Sequence, residues 1–236
     1  MSIELEMVKR NGYNIRGIVE QTHEMCLVAV KGAGLALQFV KEQTEDICSA
    51  AVNSCGLALR YVINQTPEIC LDAVKQDGWA LEYVINQTPE MCMEAVKHDG
   101  IVLVYVKEQT EEICLAAISE NKDALKYVKN ITKEFYKKAM LLHPAILVEV
   151  PDKYLSMKDE YYYLDGLEDI RLYKCSKRRV VIDLRNKSNI LYSTGCKENM
   201  TRTKFRYEIY TNNGGFNLKK GINPHRREYL SILAQY

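Results

Sequence analysis

The polar and apolar positions of the first 150 residues repeat every 22 residues. In the copy from Gln65 to Gln87, QTPEICLDAVKQDGWALEYVINQ, the apolar residues Ile69, Cys70, Ala73 and Val74 fall at i, i+1, i+4 and i+5, one face of a helix. Asp77-Gly78 interrupts that face, and Gly78 is expected to take the left-handed turn with which helices commonly end. Ala80, Leu81 and Val84, with Tyr83 beside them, then predict a second short helix from about Trp79 to Asn86. The same phase holds Thr at 22, 44, 66, 88, 110 and 132, Gln at 21, 43, 65, 87 and 109, Cys at 26, 48, 70, 92 and 114, and Gly at 12, 34, 56, 78 and 100. One repeat is read as two short helices.

The first helix of each unit is predicted to start at the Thr. Its hydroxyl can accept from the free amides of a first turn, and Pro67 and Pro89 follow it at the position where a missing N–H costs nothing. Glu24, Asp46, Glu68, Glu90, Glu112 and Glu134 stand two residues after each Thr, where the helix dipole favours negative charge. Since 22 is twice 11, one continuous right-handed coiled coil is the rival reading. It would bury Pro67, Pro89 and the glycines inside one helix, at roughly 3 kcal/mol per Pro and 1 kcal/mol per Gly, which excludes it. Leucine-rich repeats need an absent L-x-x-L-x-L pattern, and ankyrin, tetratricopeptide and HEAT units are longer. Helices this short do not hold alone, so each unit must be buried between its neighbours, as in a compact αα solenoid.

The pattern Q-T-x-E-x-C-L-x-A-V-K-x-x-G-x-A-L-x-Y-V resembles a short helical repeat family of unknown function, common in giant DNA viruses of amoebae and scattered among bacteria and protists. The match runs over about residues 1–150, with degenerate copies at Met7 to Gln21 and Thr132 to Val150. The resemblance implies a repeat fold and a viral setting, and it lends no catalytic residues. Tyr136 in place of the Cys and Lys122 in place of the Gly depart from the pattern, as capping repeats do.

The columns divide by what they can do. Five cysteines one unit apart are separated by about a helix-packing distance of 8–10 Å, too wide for shared metal ligation at about 2.3 Å, so the Cys column is read as core. The aromatic column Phe39, Tyr61, Tyr83, Tyr105 and Tyr127 is read as sealing the join between units. Positions that vary between copies are the candidate protein-binding surface: Gln38, Arg60, Glu82, Val104 and Lys126 on the second helix, and Gly32, Ser54, Gln76, His98 and Glu120 at the end of the first.

Charge changes the picture after Pro151. Residues 1–150 carry 15 Lys and Arg against 21 Asp and Glu, whereas residues 151–236 carry 17 against 10. The helical period also stops, and runs at 161–164, 170–175, 180–185, 190–194 and 202–210 have strand character, separated by turn-like stretches. The expected fold class is therefore α+β: an N-terminal all-α αα-repeat solenoid over 1–150, followed by a small basic antiparallel β-rich domain over 151–236, closed by a helix over 227–236. From Arg171 onward 15 basic residues face only Asp183, Glu198, Glu208 and Glu228. That balance suits an anionic partner, with Lys177, Arg178, Arg179, Arg202, Lys204, Arg206, Lys219, Lys220, Arg226 and Arg227 as candidate contacts, beside His225. Alternation sets Arg202, Lys204 and Arg206 opposite Thr203, Phe205 and Tyr207, favouring phosphate contact over base stacking. Solvation of the domain, or docking on an acidic protein surface, accounts for the same charges.

Candidate catalysis is thin. His23 reads as a solvated first-turn residue, His143-Pro144 as a break between helices, and Asn213-Gly214-Gly215 as a hairpin turn. Cys175, Cys196 and His225 lack a C-x-x-C pair and an evident fourth ligand for zinc. No phosphate-binding loop, nucleophile elbow or paired-carboxylate motif is present. The expectation is a non-enzymatic scaffold or adaptor without cofactor or metal, cytoplasmic from its unpaired-looking cysteines, binding protein through the array and RNA or DNA non-specifically through the basic part. The alternative is a viral factor whose basic part docks on an acidic host protein.

Overall fold

A computed structural model describes residues 2–158, 161–163, 170–175, 178–183, 191–194 and 197–200. The chain divides into two compact units, Met1–Asn130 and Ile131–Tyr236. In the first unit, α-helices alternate with 3-10 helices: α1 (Ile3–Arg10) and η1 (Gly12–Gly17), α2 (His23–Gly32) and η2 (Gly34–Phe39), α3 (Glu45–Ser54) and η3 (Gly56–Tyr61). They are followed by α4 (Pro67–Gln76) and η4 (Gly78–Tyr83), α5 (Pro89–His98) and η5 (Gly100–Tyr105), and α6 (Glu111–Glu120) and η6 (Lys122–Tyr127). Successive α-helices pack on each other, successive 3-10 helices do the same, and each 3-10 helix also packs on the α-helix of the following repeat.

The α-helix begins as its sequence dictates. Thr66 Oγ1 accepts from the Ile69 amide at 3.3 Å, and Thr22, Thr88 and Thr110 cap in the same way. Thr44 is the exception: it makes no capping bond, and its hydroxyl donates to Asp46 instead. The buried face of α4 is Ile69, Cys70, Ala73 and Val74, and the corresponding four residues are buried in α2, α3, α5 and α6.

Two details of the repeat differ from expectation. The second helix is a 3-10 helix of six residues, with Ala80 and Leu81 wholly buried and Val84 as its extended cap. Six residues at about 2.0 Å rise span about 12 Å, close to the roughly 15 Å of a ten-residue α-helix. Wound as an α-helix the same segment would be about 9 Å tall and would leave its layer short. The glycine also has another task. The chain leaves α4 through Asp77 in extended conformation, φ −151° and ψ 112°, with no left-handed residue. A Cβ on Gly34 or Gly56 would lie 2.5 Å from the carbonyl oxygen of Ala51 or Ala73 in the following α-helix. Glycine is required by the approach of a neighbouring backbone, and the alanine opposite it by the same closeness.

The second unit opens with α7 (Lys133–Leu142), capped by Thr132 on the Phe135 amide, followed by η7 (Pro144–Val148) and η8 (Asp152–Tyr154). Phe135, Tyr136, Ala139 and Met140 are the buried face of α7, so Tyr136 takes the inward position held by Cys in the other repeats.

The expected α+β class is corrected. The described structure is predominantly helical and supplies no β-rich domain. Beyond Tyr154 the described residues include short backbone segments that pair antiparallel, each with the next: 156–158, 161–163, 170–175, 178–183, 191–194 and 197–200. The buried apolar core of the repeats and of α7 and η7 runs from Leu5 to Val150. The 202–210 run and the terminal helix expected over 227–236 lie outside the described residues.

Candidate interaction surface

The glutamines that precede each capping Thr are the polar centre of the array. Gln65 Nε2 donates to the Tyr83 carbonyl at 2.9 Å, its Oε1 accepts from the Ile85 amide at 3.1 Å, and the Cys70 thiol donates to the same Oε1 at 3.5 Å. Gln21, Gln43, Gln87 and Gln109 repeat the arrangement, at 2.8–2.9 Å to the carbonyls of Phe39, Tyr61, Tyr105 and Tyr127. Gln21, Gln87 and Gln109 also donate to Ile15, Leu81 and Leu103 of the 3-10 helix they follow, which fills all four hydrogen-bonding positions of the amide. Each glutamine thus ties one 3-10 helix to the next. The column ends at Gln109, because the next equivalent position is Ile131, the first residue of the second unit.

Lysines add a second tie where the chain leaves the 3-10 helix. Lys41 Nζ donates to the Val19 carbonyl and Lys107 Nζ to the Ile85 carbonyl, both at 2.6 Å, and Lys129 Nζ donates to the Lys107 carbonyl at 2.9 Å. The five column cysteines are buried, and burial raises the pKa of every one of them. Burial thus favours the protonated thiol, which donates to the glutamine.

On this frame, Gln38, Arg60, Glu82, Val104, Lys126, Gln76 and His98 are all exposed. They form two separate groups. Gln38, Arg60, Glu82, Val104 and Lys126 occupy one phase of η2 to η6, and these helices are consecutive neighbours. Gln76 and His98 end α4 and α5, and Gln76 is engaged, its Oε1 accepting from the Gly56 amide. Ser54 likewise donates to the Lys31 carbonyl, so the α-helix ends contribute to the joins between repeats.

The 3-10 face carries rings and cations. The Arg60 guanidinium lies 5.1 Å from the Tyr61 ring centre and 5.5 Å from that of Tyr83, in successive repeats. Arg16 lies 5.4 Å over Phe39, and Trp79 meets Tyr105 edge to face at 5.9 Å. Desolvation, and then hydrogen bonding to Glu82, raises the Tyr83 pKa. The aromatic column does reach between repeats, yet Trp79 and Tyr127 remain more than a third exposed. His23 sits in the open and pairs with Asp46 of the next repeat at 2.8 Å.

The family model of a domain of unknown function, DUF4116, matches this stretch twice. The matches are tandem, over residues 44–87 and 88–131, so each covers two 22-residue units, in keeping with the repeat family that the motif resembles. No curated protein and no solved structure matches the chain.

Of the basic candidates, Arg178 and Arg179 lie in the 178–183 segment. Lys177, Arg202, Lys204, Arg206, Lys219, Lys220, Arg226 and Arg227 lie outside the described residues, as do Cys196 and His225. Among the described residues no group of His, Cys, Asp and Glu is placed to hold a metal, and no helix is long and apolar enough to cross a membrane. The Gln column had no role in the sequence reading. Its signal was a polar residue kept in one phase through five units, just ahead of a cap that already supplies its own acceptor.

Proposed function

We propose that the chain is a non-enzymatic repeat scaffold, working in the cytoplasm, of a host if it is viral: the array contacts protein and the basic C-terminal stretch grips nucleic acid without sequence selectivity. One observation carries the first half. The fixed columns are buried or spent on joining repeats, while Gln38, Arg60, Glu82, Val104 and Lys126 stand exposed in a row on neighbouring 3-10 helices. A repeat protein recognises partners by varying side chains on such a frame.

The second half rests on charge. Fifteen Lys and Arg against four acidic residues between Arg171 and Tyr236 make a strong attraction for polyanions. The test is binding of the full-length chain to RNA and DNA oligonucleotides as salt is varied. The expected result is an affinity falling linearly in log–log form. In a variant carrying Arg202→Gln, Lys204→Gln and Arg206→Gln, the slope should be shallower by about 0.9 for each duplex phosphate that is no longer neutralised. No binding at low salt would overturn this half and leave the basic stretch to an acidic protein surface.

A further inference from the structure

We propose that the ring-and-cation strip along the 3-10 helices binds a proline-rich segment in the polyproline II conformation, an inference that rests on the array being a protein-binding scaffold. Three features of the strip point to that occupant. The first is spacing. Rings recur once per repeat in Tyr61, Tyr83 and Tyr105, and a single guanidinium touches two successive rings at 5.1 and 5.5 Å. The rungs are therefore about one helix-packing distance, 8–10 Å, apart. A polyproline II helix repeats every three residues, about 9 Å, so one residue in three meets a rung and stays in step over several repeats. An extended strand repeats its side chains about every 7 Å and drifts out of step within a few rungs.

The second feature is hydrogen-bonding sense. Arg16, Arg60 and Lys126 are donors only, as is the Trp79 indole N–H, and Glu82 is the one carboxylate in the exposed row. A proline-rich backbone has carbonyl acceptors that no internal bond satisfies and few N–H groups to offer. Donor-rich strip and acceptor-rich ligand complement each other. The third is the state of the rings. Arg16 covers Phe39 and Arg60 lies over both Tyr61 and Tyr83, so those faces are taken and a nucleobase has no open platform for stacking. What remains open are the partly exposed Trp79 and Tyr127, aromatic surface of the kind against which proline rings pack. The low conformational freedom of such a peptide also limits what binding costs.

Trp79, the only tryptophan of the chain, lies in the strip and reports on it directly. The full-length protein is titrated with a synthetic polyproline peptide of about twelve residues and, separately, with a Gly-Ser peptide of equal length, while Trp emission is followed. A saturable change with polyproline and none with Gly-Ser is expected. Tyr83→Ala and Val104→Asp should each weaken binding by about tenfold or more. Val104 is exposed at the strip surface, so its variant keeps the core intact and holds the test good should Tyr83→Ala unfold. Lys75→Ala, on an exposed position of α4, should leave binding unchanged. No saturable change, equal response to Gly-Ser, or unaltered binding by Val104→Asp would overturn the proposal. So would an oligothymidylate that competes at the strip, since that would assign it to nucleic acid. Failure here leaves the salt-dependence of the basic stretch untouched, so the two readings can fall separately.

Discussion

The two layers of the array are built on different physics. The α layer is self-sufficient at its ends: Thr caps satisfy first-turn amides within the same helix, and the buried face is made of Cys, Ala and branched aliphatic residues. The 3-10 layer is not. Six-residue 3-10 helices are near the limit of what their poorer hydrogen-bond geometry sustains. Here the backbone just beyond each one is held by a glutamine from the preceding repeat, which accepts from one amide and donates to one carbonyl. The weaker helix is stabilised by its neighbour, and the layer that depends on neighbours presents the row Gln38, Arg60, Glu82, Val104 and Lys126. A scaffold can then change those side chains freely, because none of its hydrogen-bonded ties passes through them.

The comparison breaks most completely at the junction of the layers. Gly56→Val places a side chain against the Ala73 carbonyl, 2.5 Å from the position a Cβ would take, and backbone cannot rotate out of the way. A loss of about 3 kcal/mol or more is expected, read as a lower urea midpoint and early loss of the helical circular dichroism. Gly32 ends α2 with nothing within 4 Å of its Cβ position, and Gly32→Ala should be neutral or slightly stabilising. Little loss from Gly56→Val would show that the glycine column does not serve the approach of the neighbouring backbone.

Next comes the tie itself. Gln65→Ala leaves the Tyr83 carbonyl, the Ile85 amide and the Cys70 thiol without that partner, an expected loss of about 2 kcal/mol. Hydrogen exchange gives the sharper reading. The Ile85 amide should exchange much faster, while the amides of Ile69 to Val74 keep their order of protection. Gln65→Glu should rescue little, since a carboxylate has no donor for Tyr83. Uniform acceleration in both layers would mean that the layers are a single cooperative element.

A smaller effect tests the thiols that lie beneath both layers. Burial raises the folded pKa of each column cysteine above its ordinary value of 9.0. The folded chain keeps these protons when the unfolded chain has released them, so the stability they allow is full below pH 9.0 and declines as pH rises past it. Urea midpoints between about pH 8 and pH 10 should fall with pH, and fall less in a variant carrying Cys48→Ala, Cys70→Ala and Cys92→Ala. Parallel slopes would exclude the thiols as the titrating groups.

The α layer was legible in the sequence because its signals are local. Thr, Pro and an acidic residue mark a start, and Ile69, Cys70, Ala73 and Val74 mark a face. The 3-10 layer was legible only as apolar and short, since Ala80, Leu81 and Val84 fit an α or a 3-10 turn equally. What chooses between them is the height of the adjoining layer, a tertiary fact. The roles of Gln65 and Gly78 were hidden for the same reason, as their partners stand about one repeat away in Tyr83, Ile85 and Ala95. The positions from Gln38 to Lys126 were singled out because they vary between copies, and their exposure is what the structure adds. The α+β class was read from alternation and turn residues after Pro151, which are local signals, and the predominantly helical structure does not supply the β-rich domain they suggested.

The smallest expected effect separates two threonines that look alike in sequence. Thr66 and Thr44 occupy the same phase and the same extended conformation, φ −90° at both. Thr66 Oγ1 accepts from Ile69, whereas the Thr44 hydroxyl is turned to Asp46, a bond that with His23 nearby holds the Asp46 carboxyl below the usual carboxylate range. Thr66→Ala should cost about 1 kcal/mol, and Thr44→Ala less, because no first-turn amide loses its acceptor. The Asp46 pKa offers the independent check by nuclear magnetic resonance titration: it should rise toward normal in Thr44→Ala and stay put in Thr66→Ala. If Thr44→Ala costs as much as Thr66→Ala while the Asp46 titration does not move, then Thr44 caps α3 after all, and the α layer is as uniform as its sequence.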